Sequence, residues 1–207
     1  GSLQGKLVSF NESVKEIIIT GSKFTEPMDN DFFSEMQDLE VFVADNNNIR
    51  GQVPPLDSLL ELRVLSMAQN FLTGTFPSLG SNLTHVVMLN FTNNLIRGPI
   101  PSSPVSLEGL KILDVSSNAF TGTIPFEIAT SPTIEFFLAN FNVLGGPVPQ
   151  FYDKRLVRLD DNFFEGTIPC ESTTVTEMWA DCVQDVICTH LPFVMLRPRY
   201  SANGLCS

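Results

Sequence analysis

The cysteines are the residues whose chemistry is most sharply bounded. Cys170, Cys182, Cys188 and Cys206 are the only four in 207 residues, and all lie beyond residue 169. A structural zinc site needs cysteines paired two to four residues apart, and intervals of 12, 6 and 18 do not supply them. Two disulfides fit better and place the chain in an oxidising compartment. Three connectivities stay open, with Cys170–Cys182 and Cys188–Cys206 preferred. Three N-x-[ST] sequons, at Asn11, Asn82 and Asn90, point the same way as candidate glycosylation sites. Asn82 lies in a connector and is the best placed, whereas Asn90 falls inside a strand. Nothing else reads as reactive. His85 and His190 have no nucleophile or acid at motif spacing, and neither a phosphate loop nor an H-E-x-x-H pair occurs. No catalytic residue, cofactor or metal is therefore expected. Asp160, Asp161 and Glu165 have the chemistry to hold Ca²⁺ but read as a solvated acidic edge.

The elements that must carry these residues are set by a repeat. Leu110, Leu113 and Val115 are followed by Asn118, Phe120, Gly122 and Ile124-Pro125, a frame of L-x-x-L-x-L-x-x-N-x-L-x-G-x-I-P. Leu62 to Pro77 and Val86 to Pro101 fit the same frame. The Asn position recurs at Asn47, Asn70, Asn94, Asn118, Asn142 and Asn162, with Ser22 in its place in a degenerate first copy. The successive intervals are 25, 23, 24, 24, 24 and 20 residues. Self-similarity at that period means a solenoid of stacked coils, because one copy cannot bury its apolar face alone. Residues such as Leu113 and Val115 alternate along a short strand and fill a shared core. The Asn amides have the donors and acceptors to satisfy backbone groups where each coil turns, as a ladder through the stack. Phe24, Phe120 and Phe164 fall on the apolar slot after the Asn.

The N-x-L-x-G-x-I-P ending resembles the plant-type subclass of leucine-rich repeats, found in receptor ectodomains and secreted proteins. Six copies keep the Gly (Gly51, Gly74, Gly98, Gly122, Gly146, Gly166) and six the Pro (Pro54, Pro77, Pro101, Pro125, Pro149, Pro169). The resemblance implies an α/β repeat solenoid, a right-handed superhelix with a parallel sheet of short strands on its concave face. It also implies a convex side of 3₁₀ turns and irregular coil, and a disulfide-bonded C-terminal cap. Residues 1–13 read as a flanking segment or the end of an earlier coil, 14–169 as seven repeats and 170–207 as the cap. The family's usual N-terminal cysteine pair is missing. Asn30 to Gln37 reads as a short convex helix with Asn30 as its N-cap. Trp179 is expected to cover the open edge of the last coil.

Binding by this family usually falls on the concave face, whose outward columns lie two, four and six residues before each Asn. From those columns the candidate binding residues are Asp45, Ser66, Met88, Asp114, Ser116, Phe136, Leu138, Asn140, Arg158 and Asp160. Phe136, Leu138 and Phe141 add unusual apolar surface to the sixth coil, either as a contact site or as packing for the C-terminal segment.

The net charge of −11 argues against nucleic acid or an anionic membrane as the partner. No apolar run is long enough to span a bilayer, and no signal peptide is visible. The expectation is a secreted or cell-surface recognition domain taking a protein, peptide or glycan. The alternative is a structural subunit of a larger extracellular assembly.

Overall fold

The computed structural model describes residues 13–79, 83–101, 108–166, 175–181 and 194–197. Each coil contributes one strand to a long parallel sheet and, in most coils, a second short strand just after the ladder Asn. In chain order the first strands are β1 (Glu16–Ile18), β2 (Val41–Val43), β3 (Arg50–Gln52), β4 (Val64–Ser66), β5 (Phe71–Thr73) and β6 (Met88–Asn90). They are followed by β7 (Arg97–Pro99), β8 (Ile112–Asp114), β9 (Ala119–Gly122), the single helical turn α1 (Phe126–Thr130), β10 (Phe136–Leu138) and β11 (Val143–Pro147). The last four are β12 (Leu156–Arg158), β13 (Phe163–Glu165), β14 (Glu177–Asp181) and β15 (Val194–Arg197).

The main sheet has nine strands in the order β1-β2-β4-β6-β8-β10-β12-β14-β15, all parallel. Its register follows the repeat without a slip: Glu16, Val41, Val64, Met88, Ile112, Phe136, Leu156 and Glu177 stand side by side. The middle residue of each strand points inward, so Ile17, Phe42, Leu65, Leu89, Leu113, Phe137 and Val157 form one continuous buried row. This is the leucine-rich repeat solenoid expected from the period. The sheet also runs past residue 169, where the sequence reading ends the repeat series, because β14 and β15 join it in parallel register. The four cysteines, Asn11, Asn82 and His190 lie outside the described residues.

The ladder closes each turn. Asn94 is typical: its Nδ2 donates to the carbonyls of Met67, Phe91 and Thr92, and its Oδ1 accepts from the Leu72 amide. Asn47, Asn70, Asn118, Asn142 and Asn162 repeat the pattern, each reaching one coil back. Before the ladder residue the chain passes through a left-handed conformation at Asn46, Gln69, Asn93, Ser117, Phe141 and Asp161, with φ of 52–59°. Polar side chains tolerate that region, whereas for the bulky Phe141 it is strained.

A second left-handed residue follows five positions later, always glycine. At Gly146 (φ +74°) a Cβ would also stand 2.9 Å from Thr123 Cγ2, on a β-branched side chain whose rotamers are restricted. Gly146→Ala is expected to cost about 2 kcal/mol, read as a lower urea midpoint with an unchanged slope.

The second set of strands was not anticipated. β7, β9, β11 and β13 form a four-stranded lateral sheet, and β3 pairs with β5. The convex side is mostly turns, and Asn30 to Gln37 forms no α-helix, which corrects that expectation. Phe32, Ser34 and Met36 instead donate to the carbonyls of Asp29, Asp31 and Phe33, three residues back. Adjacent Phe32 and Phe33 are both buried and both edge-on to Phe42, held there by these three-residue turns.

Candidate functional site

The concave face of the main sheet is built from side chains that alternate away from the core. Its first outward column, Val41, Val64, Met88, Ile112, Phe136 and Leu156, is apolar across six successive coils, and every member is half-buried. Along one side runs a rim of ion pairs. Glu40 bridges Lys15 and Arg63 at 2.7 and 3.4 Å, and Glu135 bridges Lys111 and Arg155 at 3.5 and 2.7 Å. The Lys15 hydrogen bond holds the Glu40 carboxyl below its ordinary range and pushes the Lys15 ammonium up. Such exposed pairs contribute little to stability. They do set a charged border to the apolar column.

On the other side lies a hydrogen-bonded polar line. Asp45 Oδ1 accepts from the Ser66 hydroxyl at 2.7 Å and the Ala68 amide at 2.8 Å. Asn90 Nδ2 donates to Ser66 Oγ at 3.0 Å, and Asn90 Oδ1 accepts from the Thr92 amide at 3.0 Å. Thr92 and Ser116 share a hydroxyl contact of 2.6 Å, and Ser116 donates from both amide and hydroxyl to Asp114 Oδ1. Burial pushes the Asp114 carboxyl up, and the bonds from Ser116 and the charge of Arg158 pull it partly back.

At the C-terminal end Arg158 forms a two-pronged pair with Asp160, Nε–Oδ1 at 2.8 Å and Nη2–Oδ2 at 3.0 Å. Its guanidinium lies 4.8 Å from the centre of the Trp179 ring. The Asp160 bond and charge raise the Arg158 pKa further. Trp179 therefore faces the concave surface with its Nε1 donating to Glu177, rather than covering the edge of the last coil. Arg158 stands in its column, and flat aromatic surface attracts a guanidinium.

The ten candidate residues separate by exposure. Asp45, Met88, Asp114, Phe136, Leu138 and Arg158 are half-buried and accessible from the concave side, whereas Ser66, Ser116, Asn140 and Asp160 are buried. Of the buried four, Ser66, Ser116 and Asp160 hydrogen-bond to Asp45, Asp114 and Arg158. Asp160 turns to Arg158 while Asp161 and Glu165 are exposed elsewhere on the coil, and among the described residues no metal-binding group of His, Cys, Asp or Glu forms. Phe141 stands apart from Phe136 and Leu138, 45 % exposed at the turn between the two sheets.

One charged residue escaped sequence reasoning. Lys154 is 1 % exposed, and its ammonium donates to the carbonyls of Ser131 and Tyr152, both at 2.7 Å. Burial lowers its pKa to about 8. In the unfolded chain the ordinary value returns, so between pH 8 and about 10 the unfolded state binds the extra proton and stability rises with pH. Comparison with Lys154→Met should show this: the wild type gains about 2–3 kcal/mol relative to the variant across that window. A parallel pH dependence for the two proteins would contradict it.

Residues 109–131 match the family model for the leucine-rich repeat. No curated protein matches the chain. Among solved structures, the plant peptide hormone receptor RGFR1 in complex with RGF2 superposes with a TM-score of 0.64 at 22% identity, over 88% of this chain and 36% of that one. The ectodomain of the Arabidopsis receptor kinase HAESA, in complex with an N-terminally extended IDA peptide hormone, gives 0.68 at 22% identity, over 82% and 30%. A plant ice-binding protein gives 0.62 at 18% identity, over 88% and 65%. The chain thus spans about a third of the two receptor ectodomains. No helix among the described residues is long and apolar enough to cross a membrane.

Proposed function

Since the chain folds as a leucine-rich repeat solenoid, with plant receptor ectodomains among its structural neighbours, we propose that it is an extracellular recognition domain that binds a protein or peptide on its concave face. The supporting observation is the apolar column from Val41 to Leu156. Six half-exposed aliphatic and aromatic side chains in adjacent strands face away from the core, and none of the described residues folds over them. Contiguous exposed apolar surface of this kind marks contact sites. That two neighbours were solved with peptide hormones supports the same reading. The fold alone does not, since one scaffold serves many functions.

The test is selection of binders from a displayed library of extracellular proteins and peptides, followed by affinity measurement on Phe136→Ala and Asp114→Lys. Each variant should bind the selected partners at least about tenfold more weakly. Undiminished binding by both would remove the site from the concave face.

A second reading, a subunit of an extracellular assembly, is favoured by the lateral sheet. Val143 and Phe163 are 47 % and 60 % exposed there. Sedimentation of the isolated chain distinguishes it, because an assembly subunit should self-associate or remain unstable alone, and a stable monomer speaks for the recognition domain.

A further inference from the structure

The charge of the concave face identifies the ligand more narrowly, on the premise that this face is the binding site. In the outward columns the acidic residues are Glu16, Asp45, Asp114, Asp160, Glu177 and Asp181. Arg158 and Arg197 are the cations in those columns among the described residues. Asp160 already holds Arg158, and Arg197 stands beside Asp181 in the register. Asp181 is likewise engaged, by the amides of Asp161 and Asn162. Asp45 and Asp114 differ from these. Each takes both of its hydrogen bonds on Oδ1, and among the described residues no donor reaches Oδ2 of either. A carboxylate held by one oxygen is fixed in orientation while the other oxygen stays available for a charge-assisted bond.

Their separation is set by the sheet. Asp45 follows β2 and Asp114 closes β8, three strand steps apart, or about 14 Å at about 4.8 Å per step. They are also offset by two residues along the strand direction, about 7 Å, so that they lie about 16 Å apart. That distance excludes one cation shared by both carboxylates. Two side chains four residues apart on an extended segment start about 13 Å apart, at about 3.3 Å per residue, and the length of Lys or Arg takes up the remainder. Between the carboxylates the line is neutral and polar (Ser66, Asn90, Thr92, Ser116), and beside it runs the apolar column. We propose that the concave face takes an extended basic peptide segment, with two Lys or Arg side chains about four residues apart on Asp45 and Asp114 and apolar side chains on Val64, Met88 and Ile112. The half-buried setting of Asp114, which disfavours its lone charge, gives a cation there an added gain on pairing.

The probe is a blocked decapeptide of Val and Thr carrying two lysines four residues apart, compared with the same peptide carrying two glutamates. The lysine peptide should bind at least about tenfold more tightly and weaken as salt rises. Asp45→Asn and Asp114→Asn keep the Oδ1 acceptor and hence the local fold, which a thermal melt checks. The double variant should lose about tenfold for the lysine peptide and nothing for a neutral one. Equal binding of both charged peptides, no binding of either, or indifference to the double variant would each overturn the basic ligand. The recognition reading fails separately, when library-selected partners ignore Phe136→Ala and Asp114→Lys.

Discussion

Replacing Asn94 by alanine is expected to lower the free energy of unfolding by about 3–4 kcal/mol, because two buried backbone groups lose their partners at about 1–3 kcal/mol each. The Leu72 amide and the Met67 carbonyl belong to fully buried residues, and Asn94 is 6 % exposed. Water cannot replace the lost amide without opening the stack. Asn94→Asp separates polarity from volume: it keeps the acceptor for Leu72 but turns the amide nitrogen that donates to three carbonyls into a carboxylate oxygen facing them. It should cost at least as much as alanine at neutral pH, and less where the carboxyl is protonated. Urea unfolding at pH 7 and pH 4 reads both effects. A loss below about 1 kcal/mol for alanine, the usual net worth of one hydrogen bond, would mean that the ladder is not what holds neighbouring coils together.

Arg158→Ala should be nearly as damaging, at about 3 kcal/mol, since it removes the cationic partner of the Asp160 carboxylate, whose side chain is fully buried. The double replacement Arg158→Ala with Asp160→Leu should recover part of that loss, because the buried negative charge goes with its cation. If instead the two single losses simply added, the pair would not act as a unit. Trp179 provides a local signal. Its stacked guanidinium disappears in either Arg158 variant, so its fluorescence should change before unfolding begins. A spectrum identical to wild type would place the stacking elsewhere in solution.

The period of the ladder Asn was enough to set the strand register, because a fixed repeat leaves one way of stacking apolar residues inward. Every outward column read from Glu16 to Leu156 is the column that the sheet forms. Direction along a strand does not fix exposure, however. Ser66, Ser116, Asn140 and Asp160 point outward but are short or paired, and all four are buried. The lateral strands went unread since they are three to five residues long and interrupted by Gly and Pro, which count against strand formation. Phe71-Leu72-Thr73 and Phe163-Phe164-Glu165 do place a buried residue between two exposed ones, a weak trace of them. Lys154 left no trace at all. Its acceptors are main-chain carbonyls, which any sequence would provide.

The parallel stacking also imposes a scale mismatch on anything that lies along the solenoid axis. Coils succeed one another every 4.8 Å or so, whereas an extended chain advances by roughly 3.3 Å. The two rulers agree in length at about three residues for two coils, but successive side chains of an extended chain face opposite ways. The same face therefore returns in register only at about six residues for four coils. Contacts at other spacings, such as three coils, depend on long side chains to take up the difference. Duplicating one, two or three coils would put the far half of the face out of step with a correspondingly lengthened partner, while duplicating four would restore the match. Lengthening such a surface in evolution or by design would then preserve recognition more readily by four repeats than by one.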